Sequence, residues 1–278
     1  MDRERALLVL GLALSGPLVF LAGLLVRSPR SDRERAHWIG LWIPIMPAAI
    51  AGAALLGWAI QEPDPPDEIL GTAAWVLSAF VGLVWVRAAL RAVRSFFLNR
   101  AAAPAATYGW IRPRVHLSPA FLEAVSALEQ RAAIEHEEAH ARHRDPLRIW
   151  LAQLVTDLQW PSPAATSRFR AWLNRLEVAR DDEARLRGAD GVDLAAAILA
   201  AVRLSTPGAA PGCHLPGTGE ALEERIARLL RPLPVDLPPE RSPSRALLVI
   251  LVLAMVAATL GGLNFGEALV RLVPGLVS

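Results

Sequence analysis

Residues 135–140 read Glu135-His136-Glu137-Glu138-Ala139-His140, an H-E-x-x-H pattern whose residue types suit metal-assisted hydrolysis. On an α-helix, positions i and i+4 lie on one face a turn apart, so His136 and His140 can reach one ion. Glu137 falls about 100° further round, where its carboxylate can address a water on that ion without being a ligand. A catalytic zinc takes three protein ligands and leaves a fourth position open, so two histidines are not enough. The best third candidate is Glu177, in a later helical stretch, followed at i+4 by Asp181. Glu177 would bind the ion, one Zn2+ per chain, and Asp181 would accept the free ring N–H of a ligand histidine and fix its tautomer. His143 falls on the same face but sits between Arg142 and Arg144 and reads as a surface residue. Glu135 and Glu138 read as charges outside the reaction.

The elements that must position these residues are legible around them. Ser126-Ala127-Leu128-Glu129 is a capping box that starts a helix about ten residues before the histidines. Asp145-Pro146 stops it soon after them. Leu128, Ala132, Ala133, Ile134 and Ala139 supply the face it should bury. Upstream, residues 108–117 read as a strand pair around Gly109 and Pro113 at a sheet edge, able to align an extended peptide by strand addition. Tyr108, Arg112 and His116 on it are candidate substrate or oxyanion contacts. Ser118-Pro119 caps a short helix. Downstream, an amphipathic helix over 146–158 is broken by Trp160-Pro161-Ser162-Pro163, and a helix over 167–187 is closed by Gly188. Helices over 194–202 and 220–230 follow, separated by a linker rich in glycine and proline over 206–219. A similar linker covers 232–244.

Of 278 residues 53% are hydrophobic, and the mean hydropathy of +0.33 exceeds what a soluble domain of this size needs. The excess points to a lipid bilayer. Runs over 7–26, 38–60, 69–86 and 246–263 are long enough to cross one as helices. The first is too long for a signal peptide and lacks a small-x-small cleavage site. Trp38, Trp42 and Trp58 read as interfacial residues, with His37 beside them, and Pro44 and Pro47 as a kink. Arginines in loop 27–37 and again at Arg87, Arg91, Arg94 and Arg100 contrast with an acidic loop at 61–68. Long segment 99–244 is therefore expected in the cytoplasm. Net charge is only +2, without a dense basic block, so direct nucleic-acid binding is excluded. The single cysteine, Cys213, excludes an intrachain disulfide and a cysteine-based zinc knuckle.

These features together resemble the BlaR/MecR-type antirepressor peptidases, integral-membrane gluzincins of bacterial signalling. The resemblance rests on Tyr108-Gly109-Trp110-Ile111-Arg112-Pro113, on His136-Glu137-Glu138-Ala139-His140 with Arg144-Asp145-Pro146, and on Glu177-Val178-Ala179-Arg180-Asp181. It also rests on the order of three spans, a zinc domain and a fourth span. Glu138 stands where the family usually has an apolar residue, and Arg180 where it usually has a small one. The resemblance implies zinc at His136, His140 and Glu177, Glu137 as general base and Asp181 behind a ligand.

The expected fold is mainly α: a polytopic membrane protein with about four transmembrane helices and a cytoplasmic, mostly helical, zincin-like metallopeptidase domain with a small edge β-sheet. Residues 1–98 would hold three spans, 99–244 the metallopeptidase domain, and 245–278 the fourth span and a short tail. The expected function is zinc-dependent endopeptidase action at the bacterial inner membrane, in signal-responsive regulation and without a penicillin-binding sensor domain. Its partner would be a protein or peptide substrate, such as a transcriptional repressor or the chain itself; the oligomeric state stays open. Two alternatives stand beside this: a membrane quality-control or processing gluzincin, and a non-catalytic membrane receptor or scaffold with structural zinc.

Overall fold

The structure, a computed structural model, describes residues 3–26, 33–61, 72–98, 103–205, 219–232 and 256–257. The expected fourth span over 246–263, apart from two residues, lies outside them, as do the acidic loop and nearly all of both linkers.

The N-terminal part comprises α1 (Arg3–Leu25), α2 (Glu34–Trp42), a 3-10 turn (Ile43–Ile45), α3 (Met46–Gln61) and α4 (Thr72–Leu98). Two stretches, Glu34–Leu55 and Trp75–Ser95, are long and apolar enough to cross a membrane, and Gly11–Leu25 is a shorter apolar helix. Pro44 sits in the 3-10 turn, so the kink expected in the second run is a tightened turn between two helices. Helix α1 packs on α3 and α4. Gly16 permits a close approach: a Cβ there would lie 2.3 Å from Val81 Cγ2. The Ser78 hydroxyl donates to the Val9 carbonyl at 2.7 Å, a polar tie between α4 and α1. Leu21, Leu24 and Leu25 of α1 and Val76, Leu83, Val86 and Leu90 of α4 point outward and are exposed. Apolar surface of that extent needs a cover other than water.

The second part opens with strands β1 (Ala105–Tyr108) and β2 (Arg114–Leu117), paired antiparallel from Ala105↔Leu117 to Tyr108↔Arg114. Gly109 turns the chain at φ 94°, where a Cβ would meet the Arg112 carbonyl at 2.8 Å. The expected strand pair forms, but its first strand precedes Gly109, over Ala105–Tyr108. Helices α5 (Pro119–Ala124), α6 (Ala127–Arg142), α7 (Asp145–Leu158), α8 (Pro163–Leu186), α9 (Gly191–Leu204) and α10 (Gly219–Leu229) follow. The α6 capping box forms with both of its hydrogen bonds. Ala132, Ala133 and Ala139 are buried as expected, whereas Leu128 is 64% exposed. The contacts of α6 with the core of α8, α9 and α10 begin at Ala132, one turn later. Helix α8 starts at Pro163, earlier than its expected start at 167, because a proline in the first turn leaves no amide unsatisfied.

One core crosses between the two parts. Leu41 of α2 packs with Ile149 and Ala152 of α7 and Trp172, Leu173 and Leu176 of α8, flanked by Trp38 and Trp42. Trp38 and Trp42, expected at an interface, are thus partly covered by the domain. The Trp38 ring lies 5.1 Å from that of Trp172, and His37 is buried. Protein covers the start of α2. The Arg168 guanidinium of α8 donates at 3.0 Å to both Gly23 and Val26 carbonyls, satisfying acceptors that the end of α1 leaves free.

Candidate metal centre

Helix α6 carries His136, Glu137 and His140, and α8 carries Glu177 and Asp181. All five are buried. The His136 and His140 Nε2 atoms stand 3.1 Å apart. Glu177 Oε2 lies 3.5 Å from the first and Glu177 Oε1 3.7 Å from the second. Ligands held at 2.0–2.1 Å around a tetrahedral zinc are about 3.3 Å from one another, so this triangle fits one ion. The group His136, His140 and Glu177 can hold a metal on that geometry.

Carboxylates lie behind both rings. His136 Nδ1 is 2.9 Å from Asp181 Oδ1, an ion-pair distance, although the ring N–H is not aimed at that oxygen. His140 Nδ1 is 2.9 Å from Asp145 Oδ2, a partner that the reading of the sequence did not assign. Both Nε2 atoms face Glu177, where an ion would be held. Arg144, at φ 53°, forms the left-handed joint between α6 and α7 that turns Asp145 back toward His140. Arg180 holds Asp145 from the other side, with Nε 2.6 Å from Oδ2. The position where a small residue is usual thus carries a buried guanidinium.

Three further residues of the site escaped sequence reasoning. Thr107 of β1 places its hydroxyl oxygen 2.8 Å from Glu137 Oε2 and 2.7 Å from the Glu137 carbonyl, so one proton is shared between two acceptors. Arg225 of α10 reaches Glu177 Oε2 at 2.9 Å and Asp181 Oδ1 at 2.8 Å, with His136 Nε2 3.4 Å away. Asp145 is the third. Arg225 lay in a charged amphipathic stretch whose other arginine, Arg228, pairs on the surface with Asp182. Nothing in the local pattern separates the two.

Tyr108 and His116 share one face of the hairpin, rings 5.8 Å apart, opposite the face from which Thr107 meets Glu137. Tyr108 is half-buried; Arg112 and His116 are exposed. Glu138 is exposed beside Arg142, and His143 pairs with Glu183 at 2.8 Å.

Electrostatics match the geometry. With neutral imidazoles, Glu137, Asp145, Glu177 and Asp181 outweigh Arg180 and Arg225 by two negative charges, which a divalent cation neutralises. Burial works against charge on His136, but Asp181 and Glu177 outweigh it and raise its pKa. For His140 burial is likewise overcome, by the Glu177 charge and the Asp145 hydrogen bond, and the pKa rises to about 10. Glu177 and Asp181 are held below the ordinary carboxylate range: burial would raise both, and the Arg225 charge prevails.

A helical H-E-x-x-H segment facing a glutamate on a second helix, with a strand hairpin alongside, is an arrangement able to hold one metal ion beside a carboxylate base. Residues 102–229 match the family described as BlaR1 peptidase M56, which supports the BlaR1/MecR-type resemblance over that part of the chain. The matched family is one of metallopeptidases. Among curated proteins and among solved structures, none matches the chain.

Proposed function

We propose that the chain is an integral-membrane zinc endopeptidase acting in regulated proteolysis, with the ion held by His136, His140 and Glu177. The observation that carries the reading is the buried triangle of three ligand atoms with Glu137 beside it and carboxylates behind both rings. Zinc bound there would polarise the scissile carbonyl and acidify a water. Glu137 takes the proton of the attacking water and returns it to the departing amine. Thr107 fixes one oxygen of Glu137, leaving the other for the proton. Asp145 holds the His140 ring in the orientation that turns its Nε2 inward, and Asp181 stands at ion-pair distance behind His136. Strand β2 offers an edge on which an extended peptide can lie.

Membrane placement draws support from the two apolar stretches of spanning length and the exposed apolar faces of α1 and α4. Arg87 and Arg91, at the end of α4 that meets the domain, pair with Asp157 of α7. By the positive-inside rule that end, and the domain with it, faces the cytoplasm. The substrate on this reading is a cytoplasmic regulator such as a repressor, or the chain itself. Comparing new protein N-termini in cells that express wild type or Glu137→Gln, with zinc measured in both purified proteins, tests the proposal. Termini unique to the wild type at equal zinc content support it; a wild type that purifies without zinc overturns it.

A further inference from the structure

Glu34 lies in the first turn of α2, more than a hundred residues before the histidines, yet only 4% of it is exposed. Its Oε1 accepts from Arg148 Nη2 at 2.6 Å and from the Trp172 indole N–H. Arg148 is held on every side. Its Nη1 donates to Asp145 Oδ1 at 2.9 Å, and its guanidinium carbon lies 4.9 Å from the Trp38 ring centre and 5.8 Å from that of Trp172. Asp145, 0% exposed, then meets His140 Nδ1 through its other oxygen at 2.9 Å. An unbroken series of charged contacts, Glu34–Arg148–Asp145–His140, therefore runs from the start of an apolar stretch of spanning length to a ring facing the candidate metal.

We propose that Glu34 is a positioning residue for the metal centre, coupling the start of α2 to the His140 ring through Arg148 and Asp145, so that metal affinity is set in part by the membrane segment. The inference rests on the metal-site reading given above. Each link is a charge-assisted hydrogen bond between buried groups and the half-buried Arg148, so loss of one leaves its neighbour uncompensated and free to reorient. Asp145 has two masters: Arg148 draws on Oδ1 at 2.9 Å, where Arg180 Nη2 reaches only to 3.5 Å, while Arg180 Nε and His140 engage Oδ2. Withdrawing Arg148 removes the short contact on Oδ1 and lets Arg180 draw the carboxylate toward itself, and the His140 ring on Oδ2 follows it. Helix α4 is attached differently. Its Arg91 meets Asp157 at 2.8 Å, at the far end of α7, about 18 Å along the helix axis from Asp145.

The test uses the full chain in lipid nanodiscs, with Zn2+ affinity measured by chelator competition and the Co2+ absorption spectrum reporting ligand geometry. Glu34→Gln and Arg148→Gln are each expected to lower Zn2+ affinity about tenfold and shift the cobalt bands, as loss of groups behind metal ligands does. The double variant should be no weaker than Arg148→Gln alone, and Arg91→Gln should match the wild type. If Glu34→Gln does not fold, Trp38→Leu, which strips the ring from Arg148, should weaken Zn2+ about threefold. The coupling is overturned if Glu34→Gln, or in its place Trp38→Leu, binds like the wild type, or if Arg91→Gln weakens binding equally. A wild type that binds no Zn2+ would instead overturn the metal-site reading beneath it.

Discussion

The Arg225 guanidinium of α10 stands 2.9 Å from Glu177 Oε2, so the carboxylate offered to the metal is also half of a buried ion pair. Arg225 grips Asp181 as well, and one cation from α10 thereby balances two carboxylates of α8. Replacing it with alanine would leave both uncompensated, which costs about 3 kcal/mol or more in a buried setting. Arg225→Ala should lower the thermal midpoint of the metal-free protein strongly and that of the zinc-loaded protein less, because the ion takes over part of the compensation. Equal loss with and without zinc would remove Arg225 from the site.

Zinc binding should release protons. In the folded, metal-free chain the neighbouring carboxylates raise the pKa of both imidazoles above the ordinary value, His140 to about 10. The imidazoles contribute stability that is fully present below the ordinary value of 6.5 and is lost as pH rises through the folded value. The ion must displace their protons, so its affinity should climb with pH across the neutral range. Calorimetric titrations at pH 7 in buffers of different ionisation enthalpy should show about one proton or more released per zinc, that of His140 among them. Release of none would place the histidines outside the ligand set.

Glu137→Gln and Thr107→Val separate chemistry from support. The first removes the base and should reduce peptide hydrolysis by about a hundredfold or more with zinc content unchanged. The second removes one hydrogen bond, worth about 1 kcal/mol, and should lower kcat about fivefold with KM nearly constant. A Thr107→Val enzyme with wild-type kcat would show that Glu137 does not need the strand to hold it.

Acid should weaken the joint between α6 and α8. Partial burial pushes the Glu183 carboxyl up, but hydrogen bonds from His143 and Arg142 prevail and hold it at about 2, against an ordinary value of 4.5. Its contribution is present above 4.5 and is lost as pH falls toward 2. Melting curves of Glu183→Gln should lie below wild type at neutral pH and converge with it in acid. Curves that stay parallel would sink this assignment.

What the sequence determined by itself was local. The capping box, the i, i+4 spacing of His136 and His140, the breaks at Pro146 and Pro161 and the turn at Gly109 follow from backbone sterics and hydrogen bonding within a few residues, and each forms where it was expected. The helix bearing Glu177 and Asp181 was legible because its charged pattern has a helical period and Gly188 ends it. The tertiary structure decided what meets across distance. Thr107, Asp145 and Arg225 gain their roles from strands and helices brought together by burial, and a buried arginine is written in the same letter as Arg228 on the surface. Leu128 is exposed and Trp38 partly covered because coverage depends on where neighbouring helices end, which no local pattern contains. The pairing of Glu34 with Arg148, across 114 residues, is the extreme case: two charges join in the interior only because the core around Leu41 and Trp172 closes over them.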